Sequence, residues 1–290
     1  LRRRHEGRSG KRGCIAAVGL MAAGPSASAR ETLQHRIDML LPGADLVLPE
    51  GKGPFPVVIQ FHGCGGKKPF QLDWAEAAKQ AGWAALVIDS HKHRNISQLE
   101  AYATVCTGLQ LWGRERAGDL YAAMEWVRRQ SWADAKRIVV AGWSHGGWTV
   151  LDGLCMAPGA EMANATHISD LPAEPLAGLA GAFVVYPFAG PGSLARSRGL
   201  RVDVSPMALV GTRDVIVGGR GLARTLSKMP MPGKPMDVVI LEGATHAFDE
   251  PDTHDLRTRY DPAITGRAQK MYQAYLVEAA KRSSAIGPSG

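Results

Sequence analysis

The sequence lacks any internal repeat or low-complexity block across its 290 residues, which excludes solenoid and disordered-scaffold architectures. The apolar stretch at 14–23 is too short for a membrane anchor, and no stable membrane insertion is expected. Cysteines number only four, Cys14, Cys64, Cys106 and Cys155, too few for a disulfide-built scaffold. In an oxidising compartment Cys106 and Cys155 could pair and leave Cys64 free. His91 and His93 alternate as metal ligands can, but no third ligand is spaced near them. They read as surface histidines, and neither a metal nor a cofactor is expected.

Strong charge is also missing once the N-terminus is set aside. The formal net charge is +7, but six of the 34 basic residues and one of the 27 acidic residues precede Arg30, so the remainder carries +2. A nearly neutral chain offers no electrostatic footing for nucleic acid. The early basic residues Arg2, Arg3, Arg4, Arg8, Lys11 and Arg12 stand before the apolar stretch and an Ala27-Ser28-Ala29 cleavage pattern. That is the order of a secretory signal peptide over 1–29, so an exported protein, periplasmic or secreted, is expected. Residues 30–290 are then one α/β domain, and the 45% apolar content suffices for its core.

Within that domain, the β-branched run at 138–141 enters Gly142, Trp143, Ser144, His145, Gly146 and Gly147. G-x-S-x-G between a strand and a helix is a nucleophile elbow, a sharp turn that lifts one serine out of the sheet. Trp148, Val150, Leu151 and Leu154 give the following segment an apolar face at helical spacing. The glycines fit because a Cβ at 142 or 146 would meet neighbouring backbone. The backbone N–H of His145, in the first helical turn, is a donor for developing negative charge.

A serine hydroxyl is a weak nucleophile until a base takes its proton. A strand at 206–210 leads through Gly211, Thr212 and Arg213 to Asp214, and a strand at 237–241 leads to His246. Both residues therefore stand just past the C-terminal end of a strand, the edge of an open α/β sheet where ligands bind. In this reading His246 is the general base and Asp214 orients its ring. Asp203 precedes a strand, Asp237 opens one, and Asp249 is a distant second for the acid. A strand at 56–61 followed by His62, Gly63, Cys64, Gly65 and Gly66 supplies the other half of an oxyanion hole, with the Cys64 N–H as donor.

These motifs resemble the dienelactone hydrolase family of α/β-hydrolases from about Gly53 to Lys281. The resemblance is carried by Pro54, Phe55 and Pro56 leading to H-G-C-G-G at 62–66, by G-W-S-H-G-G at 142–147, by Asp214 after G-T-R, and by A-T-H-A-F at 244–248. It implies an eight-stranded, mostly parallel sheet with helices on both faces, and cleavage of small-molecule esters or lactones through an acyl-enzyme. Founding members carry cysteine where Ser144 stands here. Arg94 and Arg213 lie on loops suited to binding a substrate carboxylate, although loop arginines are ordinarily solvated.

Further strands at 83–88 and 181–186, a helix between 114 and 130 and a last helix from about 261 to 282 complete the α/β alternation. Residues 156–179 read as an insertion that is either a small lid or a plain surface excursion. A prolyl-oligopeptidase-like peptidase shares the catalytic parts, though there is no room here for the propeller such peptidases carry. From another class, a noncatalytic binding protein could keep the fold alone. Neither oligomeric state nor acyl specificity is written in these patterns.

Overall fold

Parallel strands buried on both faces read as continuous apolar runs, because helices cover the sheet above and below. The expected runs obey this except 237–241, which forms an edge strand and leaves Ile240 exposed. The computed structural model of the chain describes residues 30–253 and 255–285. The expected signal peptide, 1–29, lies outside the described residues. The strands are β1 Asp45–Val47, β2 Phe55–Phe61, β3 Ala84–Ile88, β4 Ala133–Trp143, β5 Leu179–Val185, β6 Met207–Gly211 and β7 Asp237–Leu241. They form one sheet in the order β1-β3-β2-β4-β5-β6-β7, in which only β1 runs antiparallel to its neighbour. The helices are α1 Leu33–Leu40, α2 Phe70–Gln80, α3 Gln98–Glu100, α4 Gly113–Arg128, α5 His145–Cys155, α6 Ala160–Thr166, α7 Leu194–Ser197, α8 Gly219–Ser227 and α9 Pro262–Ala285.

Alternation along each strand divides the core. Val57, Ile59 and Phe61 of β2 and Ile138 and Val140 of β4 pack with α1, α4, α5 and α8, whereas Val58, Val139, Ala141 and Trp143 pack with α2 and α9. The fold class is therefore the α/β arrangement expected, but the described residues hold seven strands where the resemblance implies eight. The stretch ahead of β1 is helical instead. Leu33, Ile37 and Leu40 recur at helical spacing and are buried, and the Thr32 hydroxyl caps α1 by accepting the His35 N–H at 3.1 Å.

Of the two readings open for 156–179, the plain excursion is the one seen. Helix α5 starts at the elbow and runs away from it, so its 11 residues carry the chain about 16 Å off at 1.5 Å per residue before 156–179 begins. There Met162 and Ile168 are fully buried in the core beside α1 and α4, and Ile168 bridges to Glu31. This segment is a packed excursion, with Asn164, Ala165 and His167 set near 109–115, and it lines no part of the cavity that holds Ser144.

The elbow is set by backbone crowding. A Cβ at Gly142 would lie 2.3 Å from the Gly146 carbonyl oxygen, and one at Gly146 would lie 2.0 Å from the Phe61 carbonyl oxygen. Ser144 adopts φ 53° and ψ −112°, a conformation that side chains other than glycine rarely hold. Replacing Gly146 by alanine must push α5 off the end of β2. Gly146→Ala is expected to lower unfolding free energy by about 3 kcal/mol, at the upper end of overpacking costs, which a urea titration of both proteins measures. Wild-type stability in the variant would refute the crowding argument.

Candidate active site

Three loops meet above the C-terminal ends of the parallel strands. Ser144, at the junction of β4 and α5, donates its N–H to the Val185 carbonyl at 3.0 Å, and its own carbonyl accepts from Trp148 at 3.0 Å and Phe188 at 3.1 Å. Three backbone bonds thus hold the turn rigid. His246 follows β7, and its Nε2 lies 2.9 Å from Ser144 Oγ. Its Nδ1 lies 2.8 Å from Oδ2 of Asp214, which follows β6. The other carboxylate oxygen of Asp214 accepts from the N–H groups of Ile216 at 3.0 Å and Val217 at 3.1 Å, so the acid cannot swing. A carboxylate accepts only, so Nδ1 carries the imidazole proton and Nε2 presents its lone pair to the hydroxyl. Asp214 and His246 are both buried, at 3% and 7% exposure, which strengthens these interactions by excluding water.

The loop after β2 lies against the serine. A Cβ on Gly63 would come within 3.6 Å of Ser144 Cβ, and Cys64 lines the same cavity as Ser144 and His145. One side chain that sequence reasoning missed ties the loop after β2 to the first residue of α5. Arg116, fully buried on α4, donates from Nη1 to the His62 carbonyl at 2.8 Å and to His145 Nδ1 at 3.0 Å, and from Nε to Ser90 Oγ at 2.9 Å. Its legible signal was an arginine one helical turn before Leu120, on the buried face of α4.

Asp249 does not face His246. It is buried and accepts from the indole N–H groups of Trp74 at 2.9 Å and Trp143 at 3.0 Å and from the Tyr186 hydroxyl. Tyr186 in turn stacks 4.5 Å from the His246 ring, so this carboxylate fixes the wall behind the imidazole without touching it. The rival acids Asp203 and Asp237 are exposed on the surface.

Cys64 is covalently joined to Cys106, with Cα atoms 5.0 Å apart, and Cys155 is free and buried in α5. The Cys106–Cys155 pairing is thereby corrected. Cys155 faces the core beside α4, whereas Cys106 sits on the segment after α3 that walls the cavity. That cavity encloses about 1300 Å³, and none of residues 156–179 lines it. Its walls come from 63–70, 98–112, 186–191 and 246–258.

A dienelactone hydrolase family model matches residues 43–280. The chain belongs to the dienelactone hydrolase family. As a member it is a hydrolase acting on esters. Solved structures of similar fold include a dienelactone hydrolase from Anabaena variabilis at 18% identity and TM-score 0.53, covering 81% of this chain and 90% of that one. Thermogutta terrifontis esterase 2, phosphonylated by sarin, is similar at 16% identity and TM-score 0.58, covering 81% and 89%. The dienelactone hydrolase-like promiscuous phosphotriesterase P91 from metagenomic libraries is similar at 17% and 0.55, covering 81% and 92%. At these identities the likeness is one of fold. No curated protein matches the chain.

Neither arginine considered for a substrate carboxylate reaches the cavity. Arg94 is bound to Asp119 at 2.8 Å and to the Ser90 carbonyl at 2.7 Å, and Arg213 points to solvent. His91 and His93 are not surface residues: His91 is 4% exposed and His93 half-buried. No three potential ligands cluster as a metal site among the described residues, and no described helix is long and apolar enough to cross a membrane.

Burial and the nearby Arg116 charge hold His62 and His145 well below the usual histidine range, and burial lowers His91 and His93 to about 4. Burial acts oppositely on Asp152 and Asp249, raising both to about 6. Below pH 6.5 the unfolded chain takes up protons on these histidines that the folded chain refuses until about pH 4, which favours unfolding as pH falls. The two carboxylates favour the folded state over the same interval, but four histidines outweigh two acids. The urea midpoint is expected to rise steadily from pH 4.5 to 7, and a midpoint that falls over this interval would contradict the assignment of four neutral imidazoles, His62, His91, His93 and His145.

Proposed function

We propose that this hydrolase is a serine esterase that works through an acyl-enzyme, with Ser144 as nucleophile, His246 as base and then acid, and Asp214 orienting the imidazole. The observation that carries the reading is the unbroken hydrogen-bonded line from Ser144 Oγ through His246 to Asp214, at 2.9 and 2.8 Å. His246 Nε2 takes the hydroxyl proton as Oγ attacks the ester carbonyl. The N–H groups of Cys64 and His145 receive the oxyanion, each such donor being worth about 2.7–4 kcal/mol of transition-state stabilisation. The protonated imidazole hands its proton to the departing alkoxide. A water activated by the same nitrogen then releases the acid.

Arg116 supports this reading by holding both donor loops from one point, so the two amides keep their spacing as charge develops. Short acyl esters such as p-nitrophenyl acetate are expected substrates. Ser144→Ala should lower kcat by about three orders of magnitude or more, and Asp214→Asn by about four with KM little changed. A fluorophosphonate probe should label the wild type at Ser144. Turnover by Ser144→Ala at the wild-type rate would remove the nucleophile from the mechanism.

The chain is further read as exported, periplasmic or secreted. The support is the basic, apolar and Ala-Ser-Ala order of 1–29 together with the Cys64–Cys106 bond, since such bonds persist in oxidising compartments. N-terminal sequencing of protein made with its own leader in a bacterial host should find a mature start at Arg30 in the periplasm or medium. An unprocessed chain retained in the cytoplasm would refute export.

A further inference from the structure

One wall of the cavity is lined by three aromatic residues, two of which are tied to the elbow through their backbone. The two backbone N–H groups that bond the Ser144 carbonyl belong to Trp148 and Phe188. Their rings pack on one another, 4.8 Å apart between centroids and tilted by 54°. Trp112 extends the wall, 6.0 Å from Trp148 with a tilt of 47°. All three rings line the cavity that holds Ser144 and His246.

The indole N–H groups of the wall are already bonded, and the Arg114 guanidinium lies 4.4 Å over the Trp112 ring. The Trp148 indole N–H is spent on Oδ2 of buried Asp152 at 2.7 Å, and Oδ1 of the same carboxylate accepts from Ser193 Oγ at 2.9 Å and the Leu194 N–H at 2.7 Å. The Trp112 N–H is spent on the Gly108 carbonyl at 2.9 Å. Glycine is required at 113, where a Cβ would lie 2.5 Å from Trp148 Cδ1. What remains open to a ligand is ring surface of the half-buried Phe188 and Trp112, with Trp148, 4% exposed, backing them.

Charge around the cavity narrows the ligand further. Each lysine or arginine lining it is already paired: Lys67 with Asp45 at 2.7 Å, Lys68 with Glu250, and Arg257 with Asp255 at 2.6 Å. A substrate carboxylate would find no free cation among the described lining residues. At about 1300 Å³ the cavity also far exceeds the space a short acyl group fills.

Resting on the serine-esterase reading, we infer that the Trp112, Trp148 and Phe188 wall is a subsite for an aromatic ring, and that the preferred substrates are uncharged esters carrying one. Rings tilted near 50° offer edges and faces to an inserted ring, and edge-to-face contacts add roughly two- to tenfold each beyond simple burial. A saturated ring of similar size fills the same space without that gain.

Matched esters on the full-length mature protein test this. The kcat/KM values of benzyl acetate and cyclohexylmethyl acetate, and of methyl phenylacetate and methyl cyclohexylacetate, are measured by titrating released acid. The aromatic member of at least one pair should be favoured about tenfold. Phe188→Leu and Trp112→Leu, each checked for an unchanged thermal melt, should bring that preference below about threefold. Adding a para-carboxylate to the preferred ring should lower kcat/KM by about tenfold or more. Hydrolysis of both members of both pairs at equal efficiency overturns the subsite and leaves the esterase reading standing. Failure to hydrolyse any of the four esters or p-nitrophenyl acetate overturns both. A preference that survives in both leucine variants moves the ring elsewhere and overturns the subsite.

Discussion

The close approach of Gly146 to the Phe61 carbonyl is the constraint on which the rest of the site depends. It brings the first turn of α5 against the end of β2, and so sets the serine turn and the H-G-C-G-G loop side by side. No side chain could mediate that approach, because any Cβ at 146 already overlaps backbone. Ser144 accepts a rarely populated backbone conformation as a result, and three backbone hydrogen bonds hold it there. Tyr186 and Ala247, on either side of the imidazole, also hold positive φ, at 37° and 50°, and the turns are borne by a sheet whose central strands are buried on both faces.

Behind the elbow lies an unusual concentration of buried polarity. Arg116 is completely enclosed, and burial pulls its guanidinium down to about 9 despite the neighbouring Asp119 carboxylate. Placing a charged group there is weak as a stabilising device, since desolvation opposes the Coulombic gain. Its value is geometric, because one planar donor spans His62, Ser90 and His145 at once. Asp249 does comparable work on the other side of the imidazole through two tryptophans and a tyrosine. The proposed triad thus has a buried guanidinium behind its elbow and a buried carboxyl group behind its imidazole.

Local pattern carried most of the fold and the serine, acid and histidine positions, because each of those signals is complete within a few residues. The elbow needs five positions, and Asp214 and His246 are each recognisable as the polar residue just beyond an apolar run. Features that depend on distance across the fold were not legible. The partner of Cys64 follows from how the segment after α3 folds back over the β2 loop, which no spacing in the chain records. For 156–179 pattern left a lid and a plain excursion open, and only its packing against α1 and α4, which lines none of the cavity, decides for the excursion. Arg116 and Asp249 were hidden for a related reason, since a buried ionic group is defined by partners from several elements.

The Cys64–Cys106 bond stitches a loop that follows a central strand to a wall that belongs to no strand at all. Chain synthesised where glutathione keeps thiols reduced could complete its sheet and still leave that wall hanging on noncovalent contacts alone. Folded mass and competent pocket are then separate properties of one preparation. A sharp melting transition would say nothing about whether the cavity had acquired its finished outline.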